Sequence, residues 1–116
     1  MNDFSYKRMI VWQKSMQLTA SLYPLINKLP STENFNLCSQ LRRATISVSS
    51  NIAEGSARKS GAERARFYTI ARSSAIEIDS QLESAVLLRF LKESECELVN
   101  GLIMEIFKIL SKLIIS

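Results

Sequence analysis

QLRRATISVSSNIAEGSARKSG, residues 40–61, places two arginines ahead of small and β-branched residues, then closes on Asn51-Ile52-Ala53-Glu54-Gly55 and a second basic pair, Arg58-Lys59. Leu37, Leu41, Ala44 or Thr45, Val48 and Ile52 recur at helical spacing, so the stretch is a helix with a core row. At 100° per residue, Gln40, Arg43, Ser47, Asn51, Glu54 and Arg58 fall on another face, spaced 3, 4, 4, 3 and 4. Arg42, Ile46, Ser49 and Ala53 form a half-apolar flank between them. A helix with a core face, a small-residue flank and a polar ladder belongs in a bundle, and the sequence on either side supplies the other members.

The first helix is expected from about Tyr6 to Leu29, with Val11, Leu18, Leu22, Leu25 and Leu29 in one row and Trp12, Met16, Tyr23 and Ile26 beside it. Pro24 removes a backbone donor and should kink it near Ala20 or Ser21, and Pro30 helps to end it. Ser31–Asn34 forms a turn, from which the second helix runs to about Ala57. Ser60 and Glu63 have the spacing of a capping box, starting a third helix that carries Phe67, Ala71, Ser74, Ile78, Leu82 and Ala85 and ends near Leu91. Ser94 and Glu97 repeat the box ahead of Leu98, Leu102, Ile106, Ile109 and Leu113, widened by Val99, Ile103, Leu110 and Ile114. This fourth helix is apolar over nearly its whole circumference, which predicts that something covers it.

Four segments of about 20 residues, each about 30 Å long, with short turns, predict an all-α, antiparallel up-down-up-down four-helix bundle. The 116 residues, 47% of them apolar, suffice for one domain spanning 1–116 and are too few for two.

Charge is uneven. The net +4 resolves into four basic and two acidic residues over 1–41, seven and two over 42–72, and four and seven over 73–116. A basic middle and an acidic end fit an anionic partner, contact between copies of the chain, or a solvated surface. Two distant cysteines, Cys38 and Cys96, and an N-terminus without an apolar core predict reduced thiols in a cytoplasmic protein. Asn100, Glu105, Lys108 and Lys112 interrupt the last apolar run, which argues against a membrane span.

The chain has no histidine. That removes Ser-His and Cys-His nucleophile pairs and nearly every zinc site. Glu54, Glu77 and Asp79 could hold a metal on bundle helices only in a cluster of the Glu-x-x-His type, so no enzyme activity and no cofactor are expected.

Two uses remain for the arginines. Counting outward from the Arg58–Lys59 turn brings Arg43 level with Ser74 and Gln40 level with Glu77. That predicts a structural network of Gln40 and Arg43 with Glu77, with Asn51 and Glu54 satisfied lower down; a partly buried pair of this kind makes Arg43→Ala costly, at about 3–5 kcal/mol. Alternatively Arg42, Arg58, Lys59, Arg64, Arg66 and Arg72 cluster around the turn and bind phosphates. No aromatic is read as interleaved with these basic residues, and no recognition-helix pattern occurs.

Gln40-Leu41-Arg42-Arg43-Ala44 with Asn51-Ile52-Ala53-Glu54-Gly55 resembles the proteins encoded in intervening sequences of bacterial 23S rRNA genes. Val11-Trp12-Gln13-Lys14, the run Phe67-Tyr68-Thr69-Ile70-Ala71-Arg72-Ser73-Ser74, and Leu29-Pro30 followed by Glu33 extend the resemblance along nearly the whole chain. Ser73 stands where a glycine is usual, and Thr45 and Ser49-Ser50 are more polar than that pattern. The resemblance implies a cytoplasmic, non-enzymatic four-helix bundle that assembles as a pentameric ring. It also implies similarity to the accessory proteins of diversity-generating retroelements, basic pentamers that bind nucleic acid and a reverse transcriptase. The expected partners are therefore other copies of the chain, together with RNA or DNA or a nucleic-acid enzyme such as a reverse transcriptase, and no membrane. The runner-up is a structural or protein-interaction module with no nucleic-acid role.

Overall fold

The computed structural model describes Met1–Ser116. Four α-helices account for the fold: α1 (Ile10–Ile26), α2 (Leu37–Ser56), α3 (Gly61–Leu87) and α4 (Glu97–Ile115), with no strand. Contacts close a cycle, α1 on α2, α2 on α3, α3 on α4 and α4 on α1. Cross-pairs such as Ser47 with Ser74 and Gln40 with Gln81 make α2 and α3 antiparallel. The 27-residue α3, about 40 Å long at 1.5 Å per residue, spans nearly all of the 44 Å long axis.

The core is the set of rows that periodicity selects. Leu18, Leu22 and Ile26 from α1 meet Leu41, Val48 and Ile52 from α2, Ile78 and Leu82 from α3, and Ile106 and Leu110 from α4. Both cysteines are buried thiols, Cys38 donating weakly to the Ile26 carbonyl at 3.8 Å. The buried hydroxyls of Ser15 and Thr45 cost little, because each donates within its own helix, to Trp12 O and Leu41 O. Tyr68 is also buried, and burial raises its phenol pKa against an opposing effect of Arg64.

The helix ends differ from expectation. Residues Ser5–Arg8 form a separate 3-10 turn, and Met9 is extended, so α1 starts at Ile10 rather than Tyr6. Tyr6 instead folds back, its ring meeting Trp12 edge-on at 5.1 Å. Pro24 sits in the last turn of α1, which ends at Ile26. Ser60 caps α3 as expected, accepting from Glu63 N at 3.1 Å, but Glu63 makes no return bond to the Ser60 backbone.

At its far end α3 stops at Leu87, not Leu91. Phe90 N donates to Ala85 O (2.9 Å) and Arg89 N to Val86 O (3.0 Å), a Schellman closure with Arg89 at φ 63° where glycine is favoured. The box expected from Ser94 and Glu97 is replaced by a neighbour: Glu95 accepts from Lys92 N (2.9 Å) while also holding Lys28 (2.6 Å), so it ties the α3–α4 connection to the end of α1.

Two expectations about burial are corrected. Phe67 and Ser74 are half-buried, and the third-helix core passes through Tyr68 and Ala75 instead. On α4, Leu98 is 67% exposed, and Gly101, Glu105, Lys108 and Lys112 form a polar outer strip. The helix is thus amphipathic, with Val99, Leu102, Ile103, Ile106 and Leu110 buried. Met104 and Ile115 remain exposed beside that strip. No helix is long and apolar enough to cross a membrane.

Candidate nucleic-acid interface

The turn between α2 and α3 is built around Gly55. A Cβ there would stand 2.8 Å from Tyr68 Cε1 and 3.0 Å from Phe67 Cβ, so only glycine lets the helices approach this closely. That contact sets the level of α3 against α2. It shifts the pairing by about one helical turn from the count made along the sequence: Ser74 meets Ser47 at 2.9 Å, and Gln40 meets Gln81 at 3.3 Å.

Within the polar ladder, Arg43 Nη2 stands 3.6 Å from Glu77 Oε1. Gln81 Nε2 donates to Glu77 Oε1 and to Gln40 Oε1, both at 3.3 Å, while its own Oε1 is buried without a partner. Asn51 donates to the carbonyl and hydroxyl of Ser47, at 2.8 and 3.0 Å. Glu54 pairs with Arg58 at 3.6 Å rather than with α3. The Arg43 side chain is 69% exposed, so water competes for this pair and the expected burial penalty does not apply.

The six basic candidates divide by how the fold uses them. Arg64 Nη1 donates to the carbonyls of Arg58 (3.1 Å) and Lys59 (2.9 Å), closing the end of α2 and fixing the turn. Arg72 Nη1 donates to Ser111 Oγ at 3.1 Å, with its guanidinium 5.7 Å from the Phe107 ring centroid, and so joins α3 to α4. Arg42 is half-buried on α2, away from the turn. Arg58, Lys59 and Arg66 are exposed at the turn.

Arg58 and Arg66 converge on a residue that sequence reasoning left out of the site. Their Cζ atoms lie 4.6 and 5.5 Å from the ring centroid of Phe67. These three side chains and Glu63 line a cleft of about 130 Å³. An aromatic therefore does stand among the basic residues. The adjacency of Arg66 and Phe67 was visible in the sequence; the approach of Arg58, nine positions earlier and across the turn, was not.

No group of His, Cys, Asp or Glu side chains is arranged to hold a metal. Of the remaining clefts, one of about 100 Å³ is lined half by polar residues, Glu83, Glu93 and Asn100. The largest two, each of about 300 Å³, lie between α3 and α4 at Ile76, Ile103, Met104 and Phe107, and where Phe4 and Tyr6 meet Ala53 and Ala57.

The family model described as 23S rRNA-intervening sequence protein matches residues 7–112. A solved structure of a protein of unknown function from the S23 ribosomal protein family of Bacteroides thetaiotaomicron VPI-5482 superposes with a TM-score of 0.84 at 25% identity, over 92% of this chain and 100% of that one. Among curated proteins none matches.

Proposed function

Since the chain belongs to the 23S rRNA-intervening sequence protein family, we propose that it is a non-catalytic, cytoplasmic bundle that assembles with copies of itself, as a ring of five, and binds nucleic acid through the basic surface at the α2–α3 turn. The observation that carries the binding half is the exposed trio Arg58, Lys59 and Arg66 on one turn, whose backbone Arg64 holds in place. Exposed cations at one end of a rigid bundle can neutralise several phosphates at once, and counterion release then drives binding.

Assembly is supported by apolar side chains left in water on neighbouring helices. Ile46 of α2, Ile70 and Ile76 of α3 and Met104 of α4 are all exposed, and Ile76 and Met104 border the α3–α4 cleft. Surfaces of this kind mark contact sites. A basic stretch over 42–72 and an acidic one over 73–116 suit a head-to-tail interface, which must close into a ring.

A structural role without nucleic acid is the second reading, favoured by the engagement of Arg64 and Arg72 inside the chain. An electrophoretic shift at low and high salt separates the two. Binding should weaken steeply with salt and disappear in Arg58→Glu/Lys59→Glu; binding indifferent to salt would contradict phosphate contact.

A further inference from the structure

We propose that the cleft formed by Arg58, Glu63, Arg66 and Phe67 seats one unpaired nucleobase, so that the strand held at this end is single rather than double. The inference rests on the nucleic-acid reading above and names the ligand class of that site. Phosphate binding alone requires only mobile cations. Here the Arg58 guanidinium lies over the Phe67 ring at 4.6 Å and stands 3.6 Å from Glu54, while the Arg58 backbone is fixed by its carbonyl accepting from Arg64 at 3.1 Å. A planar fork held this way loses little freedom on binding and offers a flat face. Bases of single strands stack on aromatic rings and on guanidinium planes.

Size and charge decide what enters. A cleft of about 130 Å³ is close to the volume of about 150 Å³ that admits benzene, so the base it seats is a single-ring pyrimidine, and a whole nucleotide does not fit. Glu63 lines the wall, and a carboxylate there repels a phosphate. The neutral base therefore sits inside, and its flanking phosphates stay on the rim with Arg58, Lys59 and Arg66. A base paired within a duplex reaches such a cleft only by leaving its stack, which costs free energy that a single strand does not spend.

Fluorescence anisotropy on the full chain in its native assembly tests this with three labelled probes of matched phosphate number: single-stranded oligothymidylate, the same backbone with abasic sugars, and a duplex. Oligothymidylate should bind at least about fivefold tighter than the abasic strand, and tighter than the duplex. Arg58→Lys keeps the charge and Phe67→Leu keeps an apolar side chain, so each should shrink that gap while leaving the salt slope unchanged. Arg58→Lys is a surface change and remains informative if Phe67→Leu fails to fold. Equal affinity for the thymidylate and abasic strands, or a preference for duplex, overturns the base seat and leaves phosphate binding standing. Absence of binding to every probe at low salt overturns both.

Discussion

Replacing Gly55 by alanine probes the closest approach in the bundle. In an unhindered helix the change would stabilise by about 1 kcal/mol, because glycine has more backbone freedom to lose. At Gly55 the new Cβ would stand 2.8 Å from Tyr68 Cε1 and 3.0 Å from both Tyr68 Cδ1 and Phe67 Cβ. Non-bonded carbons prefer about 3.5–4.0 Å, so something must move by roughly half an ångström or more. Neither neighbour gives easily: Tyr68 is buried, and Phe67 Cβ is attached to the α3 backbone. Overpacking of this kind costs about 1–3 kcal/mol, and moving α3 also strains the Ser47–Ser74 hydroxyl pair.

Set against the gain of about 1 kcal/mol, the expected net effect of Gly55→Ala is a loss of up to about 2 kcal/mol. Gly101, on the outer strip of α4, has nothing within 4 Å of its would-be Cβ, so Gly101→Ala should gain about 1 kcal/mol. Urea unfolding with all chains at one concentration reads both, since the proposed assembly would make stability concentration-dependent. At a slope of about 1–3 kcal/mol/M the Gly55→Ala midpoint should fall by up to about 2 M, while that of Gly101→Ala rises. A rise in both would refute the close α2–α3 crossing, and with it the placement of Phe67 beside Arg58.

Other outcomes follow from the same geometry. Arg89→Gly should raise stability by about 1 kcal/mol, since a side chain at φ 63° is strained and glycine is not; an unchanged urea midpoint would contradict this. Arg43→Ala should cost no more than about 1 kcal/mol, because its pair with Glu77 is exposed; a loss as large as that of a core truncation would mean the pair is shielded. The Lys28 hydrogen bond, and after it the Lys92 backbone, hold the Glu95 carboxyl below its ordinary pKa. A depressed folded-state pKa adds stability above the unfolded value and loses it as pH falls through the folded one. The difference in urea midpoint between the natural chain and Glu95→Gln should therefore close on acidification, and a difference that persists at low pH would contradict the assignment. Burial, and after it Glu95, Glu83 and Glu93, raises the Cys96 thiol pKa. Cys96 should accordingly resist alkylation until the chain is unfolded, as followed by mass spectrometry.

Much of the bundle was legible because its signals are local. The rows through Leu18, Leu41, Ile78 and Ile106 repeat at the helical period, and the Ser60 cap needs only three residues of spacing. What was illegible depends on where one helix meets another. The register of α3 is set by Gly55 against Tyr68, a contact between residues 13 apart that no periodicity encodes. Phe67, half-buried on α3, meets Arg58 across the turn, which no periodicity encodes either. On α4, an apolar count could not separate Leu98, bare to water, from Val99, which is buried one position later. Arg64 and Arg72 look like free cations in a list of basic residues, and only the fold shows their side chains turned onto Arg58, Lys59 and Ser111.

The claim that several copies shelter one another's exposed isoleucines and methionine, leaving the basic turns free for nucleic acid, is tested most directly by the native mass. Sedimentation equilibrium of the full chain at low micromolar concentration should return five times the 13.1 kDa of one chain. A single species of 13.1 kDa across the accessible concentration range would contradict the assembly.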